Sequence, residues 1–229
     1  MGYKVIITGT TGMVGKGVLL ECIDHEKIDQ ILIVNRNTAG IHHKKLKEIL
    51  IPDFFDLSGL KDHWKDYDAC FFCLGITSLG QSEDSYSKIT CDLTLNFAQN
   101  FYDQNQNGIF CYVSGAGTDS SEKGRSMWAR VKGRTENGLL NMGFKGAYMF
   151  RPGYIQPLRG IKSKTKWYAL LYLIFKPIYL LLKHFPATAT NTTNMGLAMI
   201  NILSGNYQKK ILENTDINEL AQKNIENPN

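Results

Sequence analysis

Three glycines near the amino terminus are spaced so that a phosphate group could bind against the backbone. Residues 8–15 read Thr-Gly-Thr-Thr-Gly-Met-Val-Gly. In this spacing Gly9 permits a tight turn, Gly12 lets the backbone approach a pyrophosphate, and Gly15 lets a helix pack closely on a strand. A helix that begins here offers unpaired N–H groups and the positive end of its dipole. The pattern therefore predicts a dinucleotide site formed by Gly9, Thr10, Thr11, Gly12, Met13, Val14 and Gly15.

The next apolar run ends in a residue that could select the cofactor. Ile31-Leu32-Ile33-Val34 is followed by Asn-Arg-Asn, with no acidic residue. An Asp or Glu near this point usually holds a free ribose 2′-hydroxyl, whereas an Arg accommodates a 2′-phosphate. The planar guanidinium of Arg36 is suited to bidentate phosphate binding. The sequence therefore favours NADP(H), with NAD(H) as the alternative, and an ordinary surface arginine is the other interpretation of Arg36.

Apolar runs and helical periodicity indicate the elements that must position these groups. Their alternation through residue 153 predicts an α/β fold, a doubly wound parallel sheet of the Rossmann type. The predicted strands are 3–7, 31–34, 69–74, 109–114, 147–150 and 210–213. The predicted helices follow Gly12, cover 86–101, surround 128–133 and cover 194–203 and 217–223, the last capped by Asp216. The lysine-rich part of 44–62 is also predicted to be helical.

Composition, charge and motif content argue against nucleic-acid binding and against metal binding. A net charge of +5 is modest, and no nucleic-acid recognition motif is present. The five cysteines fit a reduced, cytoplasmic protein, and we expect no signal peptide because Met1 leads almost directly into the first predicted strand. Cys70 and Cys73 form a C-x-x-C pattern inside an apolar strand, so they should point to opposite faces. We therefore expect no metal site and interpret His42 and His43 as solvated surface.

The motifs together resemble those of the atypical short-chain dehydrogenase/reductases. The TGxxGxxG opening, the NR after strand two, the VS ending strand five, VKG and FRPG occur in that order. The likeness is to the NAD(P)-binding, epimerase-like group around the Tat-interacting-protein-like oxidoreductases. It implies one Rossmann domain over 1–229, in which 155–229 form a variable, helical substrate lobe for an unknown small molecule. It also implies cofactor contacts at Leu74, Gly75, Pro152 and Gly153, and an adenine contact at Asp53 or Asp56.

The resemblance is broken at one catalytic position. Members of this superfamily use Ser, Tyr and Lys, with Tyr four residues before Lys, so that the ammonium lowers the pKa of the phenol. Ser114 and Lys132 match, and Lys132 would also hold the nicotinamide ribose. Trp128 stands in the tyrosine position, and an indole N–H cannot exchange the proton. Tyr154 or Tyr112 could supply the hydroxyl, although packing explains either. The alternative function is a non-catalytic NADP(H) sensor or scaffold.

An apolar stretch follows the motif-bearing part of the chain. Residues 167–182 read WYALLYLIFKPIYLLL and are framed by lysines at 162, 164, 166 and 183. Pro177 interrupts the stretch, so neither half reaches the ~20 apolar residues needed to span a bilayer. A substrate lid, a homodimer interface, a peripheral membrane anchor over 162–184 and a buried helix pair all fit this pattern.

Overall fold

Strands and helices alternate along the chain. The computed structural model describes residues 2–161, 187–205 and 207–223. The strands are β1 Tyr3–Thr8, β2 Ile28–Asn35, β3 Leu46–Leu50, β4 Ala69–Phe72, β5 Ile109–Val113, β6 Gly146–Arg151, β7 Tyr154–Gln156, β8 Ala189–Asn191 and β9 Ile211–Glu213. The helices are α1 Met13–Asp24, α2 Glu83–Ser87, α3 Leu93–Gln104, α4 Met127–Leu140, α5 Thr192–Ile202 and α6 Asn214–Gln222. A π-helical turn, Lys88–Asp92, joins α2 to α3, and a 3-10 helix covers Ser58–His63.

Seven of these strands form one parallel sheet in the order β3-β2-β1-β4-β5-β6-β9. Strand β1 lies between β2 and β4, with Thr8 opposite Val34 on one side and Phe72 on the other. The chain runs outward from β1 to β3 and then crosses back to β4, so the strand order reverses beside β1. Ligands of doubly wound sheets bind at the carboxyl ends of the strands at such a reversal. The predicted doubly wound fold is confirmed.

Helices cover both faces of the sheet, which explains why its central strands are continuously apolar. Helices α1, α5 and α6 cover one face, where their apolar side chains join those of alternate strand residues such as Val5, Ile7 and Ile33. Helices α3 and α4 and the 3-10 helix cover the other face, over Ile6 and Leu32. The two described C-terminal helices, α5 and α6, therefore belong to the first of these two layers.

The prediction of a helix in the lysine-rich part of 44–62 is wrong. Residues Leu46–Leu50 form β3, the edge strand, which pairs in parallel with β2 from Ile31 opposite Leu46. Charged residues such as Lys47 and Glu48 are typical of edge strands, because they discourage pairing with another chain. The charged residues that suggested a solvated helix instead lie in the edge strand of the sheet.

The start of the last helix also differs from the prediction. Glu213 is the N-cap of α6, and Asp216 lies three residues further on, where the two side chains and backbone N–H groups form a capping box. Asp216 therefore completes the cap without being the cap residue itself. The preceding helix and strand lie where the sequence predicts them.

The apolar stretch 167–182 and its flanks, 162–184, lie outside the described residues. The predicted substrate lobe over 155–229 therefore stays a prediction, as do the lid, the interface and the membrane anchor. Across the residues that the structure describes, no helix is both long enough and apolar enough to cross a membrane.

Candidate functional site

The glycine turn between β1 and α1 is shaped by backbone contacts that exclude side chains. Gly9 has a φ of +70°, and a Cβ placed there would lie 2.7 Å from the carbonyl carbon of Cys73. A Cβ on Gly15 would lie 2.4 Å from the carbonyl oxygen of Gly9. Gly12 is the N-cap of α1, and within the described part of the chain no side chain caps that helix. The turn thus presents bare backbone and an uncapped helix N-terminus, which suits an anionic ligand.

A groove of about 160 Å³ opens at this edge of the sheet, and we name it the sheet-edge groove. It lies where the loops after β1, β2 and β4 meet. Its lining residues are Gly9, Thr11, Gly12, Asn35, Arg36, Asn37, Phe54, Cys73, Leu74 and Gly75. The structure therefore brings together the glycine turn, Arg36 and the Leu74–Gly75 segment, which the sequence assigns separately to a cofactor.

Other residues predicted to contact the cofactor do not line this groove. Thr10 is buried and exchanges hydrogen bonds with the Asn35 side chain, at 2.7 and 3.1 Å. Val14 packs against the buried cluster beneath α1, so only its backbone faces the turn. Asp53 and Asp56 accept hydrogen bonds from Phe55 and Ser58 within their own turns. Neither of these two aspartates lines the groove, and the predicted adenine contact stays a prediction.

Lys132 extends from α4 to the carboxyl end of β5. Its Nζ donates to the carbonyl oxygen of Ser114 and lies 3.4 Å from that of Val113. The ammonium is also 5.9 Å from the centre of the Tyr112 ring. Burial lowers the pKa of Lys132 to about 8, and the carboxylate of Glu136 opposes this shift. Lys132 can therefore gain or lose a proton near neutral pH, although the structure places no phenol next to it in the tyrosine position.

Ser114 belongs to a buried ionic network that the sequence analysis missed. Its hydroxyl donates to Glu136 Oε1 at 2.5 Å, and Arg151 Nε donates to the same oxygen at 3.0 Å. Arg151 further contacts Ser120 at 2.6 Å and Glu213 at 3.3 Å. Breaking such a buried pair is strongly destabilising, because it leaves a charge without a partner. The hydroxyl of Ser114 is thus directed at Glu136, one helical turn beyond Lys132.

The signal for this network was present in the sequence but incomplete. Glu136 follows Lys132 by four residues, the spacing that places two side chains on one helix face. Arg151 is the arginine of the FRPG motif. Only the pairing of β5 with β6, which puts Val113 opposite Phe150, shows that the ends carrying Ser114 and Arg151 are neighbours.

The remaining aromatic candidates are engaged with the protein. Trp128 is partly buried against a small cluster of Tyr86, Cys91 and Val131. Tyr112 is buried, which raises the pKa of its phenol. The hydroxyl of Tyr154 donates to Gln156 Oε1 at 2.8 Å. A replacement proton donor would therefore have to leave an existing contact.

Pro152 and Gly153 connect the end of β6 to two other segments. The carbonyl oxygen of Pro152 accepts from Ala116 at 2.9 Å, and the Gly153 N–H donates to Asn214 Oδ1 at 2.8 Å. A Cβ on Gly153 would lie 2.4 Å from the carbonyl oxygen of Thr188, so that approach requires glycine. These two residues order the C-terminal side of the site and do not line the sheet-edge groove.

The predicted opposite orientation of Cys70 and Cys73 is confirmed. Cys70 faces the cluster beneath α3 and α4, whereas Cys73 packs against the cluster on the opposite face of the sheet. Among the residues that the structure describes, no group of three or more His, Cys, Asp or Glu side chains could hold a metal ion.

Several known proteins resemble this sequence. It is 24% identical over 153 residues to "Protein FMP52, mitochondrial" of Meyerozyma guilliermondii, and 28% identical over 159 residues to the protein of that name in Emericella nidulans. These matches cover 66% of the chain but 65% and 66% of the two fungal proteins, just under two thirds of each. Protein HTATIP2 of Rattus norvegicus is 23% identical over 96% of this chain and 89% of its own length. No protein-family model matches the sequence.

Several solved structures superpose on almost the whole of this chain. A UDP-N-acetylglucosamine 4-epimerase of Methanobrevibacter ruminantium superposes over 92% of this chain and 76% of its own, with a TM-score of 0.68 and 17% identity. A short-chain dehydrogenase/reductase of Saccharomyces cerevisiae covers 94% and 97%, with a TM-score of 0.66 and 13% identity. The chain has the fold of the short-chain dehydrogenase/reductases. A third protein of this fold, the Bordetella bronchiseptica enzyme WbmH in complex with NAD+, has a TM-score of 0.65 at 15% identity and covers 92% and 74%.

The short-chain dehydrogenase/reductase fold and the similarity to HTATIP2 together confirm the resemblance drawn from the sequence motifs. The fungal relatives match a shorter part of this chain than HTATIP2 does, and their names describe those proteins as mitochondrial. The cytoplasmic location expected from the sequence stays a prediction.

Proposed function

We propose that this protein binds NADP(H) in the sheet-edge groove and acts as an oxidoreductase or an epimerase-like enzyme. The observation that carries the proposal is the meeting of the bare glycine turn, the uncapped N-terminus of α1 and the exposed Arg36 in one groove. Among the described residues, none that lines the groove is acidic, which favours a 2′-phosphate over a free ribose hydroxyl. The Bordetella enzyme of the same fold was solved with NAD+. The preference for NADP(H) is therefore proposed from the groove of this chain and not from that enzyme.

The residues present fit a dinucleotide, and their roles divide accordingly. The turn residues Gly9 and Gly12 would receive the pyrophosphate, Arg36 the 2′-phosphate, and Lys132 the nicotinamide ribose. When bound, the cofactor supplies or accepts the hydride. The proton that accompanies the hydride must then come from another side chain or from water, because Trp128 cannot exchange one.

We assign the proton transfer to Lys132 and Tyr154. A lysine with a pKa of about 8 can act as an acid and as a base near neutral pH. Tyr154 follows β6 at the start of β7 and would have to exchange its bond to Gln156 for one to the substrate. Ser114 could polarise a substrate carbonyl only after its hydroxyl turns away from Glu136.

A substrate screen tests the catalytic part of this proposal. Aldehydes and ketones would be mixed one at a time with the protein and NADPH, while the absorbance of the reduced nicotinamide is followed. Nucleotide sugars would be incubated with the protein and NADP+ and their products separated by chromatography, because epimerisation returns the cofactor to its starting oxidation state. Nucleotide sugars are included because the epimerase of the same fold was solved with UDP-N-acetylmuramic acid. We expect turnover of at least one class, slower than that of enzymes with the tyrosine in place.

Trp128 supports the second candidate, a non-catalytic sensor or scaffold. It stands in the tyrosine position of the resemblance and packs against the cluster of Tyr86 and Val131, and its indole cannot exchange a proton. Tight NADPH binding without turnover of any substrate class would favour the sensor. A homodimer and a peripheral membrane contact through 162–184 remain proposals about residues outside the described ranges.

A further inference from the structure

We propose that Glu48 is a positioning residue for cofactor selection, because it holds the loop that carries Arg36. We name residues 35–39 the Arg36 loop. The inference rests on the proposed NADP(H) function and adds a residue on the edge strand that neither the motif nor the groove contains.

The carboxylate of Glu48 binds the Arg36 loop on both sides of its arginine. Its Oε1 accepts from Asn35 Nδ2 at 3.1 Å and from the Ala39 N–H at 2.9 Å. Its Oε2 accepts from Thr38 Oγ1 at 2.7 Å. One side chain of β3 thus fixes the loop before and after Arg36, and both of its oxygens are used in doing so.

The same contacts connect the Arg36 loop to the glycine turn. Asn35 lies within the sheet at the end of β2 and donates both to Glu48 and, at 2.7 Å, to Thr10 Oγ1. Asn35 is 3% exposed and Thr10 is 1% exposed, so water does not compete for the bond between these two side chains, whereas Glu48 is partly exposed. The groove wall that would bind the pyrophosphate and the wall that would bind the 2′-phosphate therefore form one hydrogen-bonded frame.

Arg36 itself is exposed and, among the described residues, makes no hydrogen bond or ion pair. Its position relative to the glycine turn therefore depends on the backbone of the loop. Holding that backbone in advance removes part of the ordering cost that binding would otherwise carry. This is how Glu48 would strengthen the contact between Arg36 and a 2′-phosphate without touching the ligand.

Direct contact between Glu48 and a ribose is the competing role, since acidic residues near β2 serve NAD(H) in this way. The structure argues against it, because Glu48 does not line the groove and its oxygens already accept from the loop. Burial disfavours ionisation of Glu48, but the bonds from Thr38, Ala39 and Asn35 outweigh it and lower its pKa. The carboxylate is thus ionised when the loop is formed.

The test uses two mononucleotide probes that differ in one phosphate. Adenosine 2′,5′-bisphosphate and adenosine 5′-monophosphate would be titrated by calorimetry into the wild type, Glu48→Gln, Arg36→Ala and the double variant. We expect Glu48→Gln to weaken the bisphosphate by about 3- to 10-fold, the range for ordering a loop or a long side chain, with little change for the monophosphate. In the Arg36→Ala background the same substitution should have no further effect.

Two further variants accompany Glu48→Gln, one as a control and one as a second test of the same contacts. Glu26→Gln removes a carboxylate from an exposed position outside the groove and should leave both affinities unchanged. Thr38→Val removes only one partner of Glu48 and should give the same selective loss with a smaller magnitude.

The two proposals fail in different ways. Equal affinity of the wild type for both probes would overturn the NADP(H) preference and this inference together. Discrimination by the wild type that survives Glu48→Gln and Thr38→Val would overturn this inference alone. Equal weakening of both probes, or an effect of Glu48→Gln that persists without Arg36, would show a general structural role and would also overturn it.

Discussion

Lys132 should lose its proton near neutral pH. Burial lowers its pKa from the ordinary 10.5 to about 8, although Glu136 lies one helical turn away and opposes the shift. At pH 8 about half of the Lys132 side chains would be neutral, against about 0.3% of exposed lysines with the ordinary pKa. That difference, of more than about a hundredfold, is what would allow Lys132 to transfer protons in the absence of the tyrosine.

The titration can be measured directly. Protein labelled with ¹³C at the lysine side chains would be followed by NMR between pH 6 and pH 11, and a Lys132→Arg sample would identify the resonance by its absence. We expect one lysine to titrate near pH 8 and the exposed ones near their ordinary value. Glu136→Gln should move the Lys132 midpoint further down, because the carboxylate of Glu136 raises that pKa.

Stability gives an independent measure of the same charge. Because the folded pKa of Lys132 lies below its unfolded value, the unfolded state binds more protons between about pH 8 and 10.5. The contribution of Lys132 to stability should therefore rise with pH across this window, and Lys132→Met should remove that part of the pH dependence. A Lys132 midpoint at pH 10 or above would refute the reasoning, since it would show that the ammonium is solvated.

Two further substitutions address the glycine turn and the replacement hydroxyl. Gly15→Ala should lower the free energy of unfolding by about 1–3 kcal/mol and weaken NADPH binding, because its Cβ would lie 2.4 Å from the Gly9 carbonyl oxygen. Gly59→Ala, whose Cβ meets nothing within 4 Å, is the matched control, and equal effects of the two would contradict this account of the turn. Tyr154→Phe should lower any turnover by about 100- to 10,000-fold and leave NADPH affinity unchanged. Full activity of both Tyr154→Phe and Tyr112→Phe, with Tyr102→Phe as the control, would mean that neither phenol transfers the proton.

The central strands and the phosphate-binding turn could be predicted from sequence because their signals are local. Continuous apolar runs mark strands that are covered on both faces, and the glycine pattern between β1 and α1 has few other uses. Arg36 follows its strand directly, so its place at the groove also follows from local order. The edge strand β3 could not be predicted in this way, because its five residues carry charges that suit a surface helix equally well.

The features that the sequence did not indicate depend on contacts between distant segments. Glu136 is joined to Ser114 and Arg151 across 22 and 15 residues, and Glu48 reaches Asn35 across 13. Glu48 meets Asn35 through strand order, and Glu136 meets its partners through the packing of α4 on the sheet, neither of which propensity and spacing determine. The spacing of Glu136 from Lys132 indicates only a shared helix face, so the folded chain is needed to show that both carboxylates are surrounded by donors.

Calorimetric titration with NADPH and NADH tests the central claim most directly. The wild type should bind NADPH more tightly by about 1–3 kcal/mol, the value of charged hydrogen bonds to the 2′-phosphate, and Arg36→Ala should remove most of that difference. Arg134→Ala, which removes an arginine from α4 outside the groove, should retain it. Equal affinity of the wild type for the two cofactors, or tighter binding of NADH, would contradict the account.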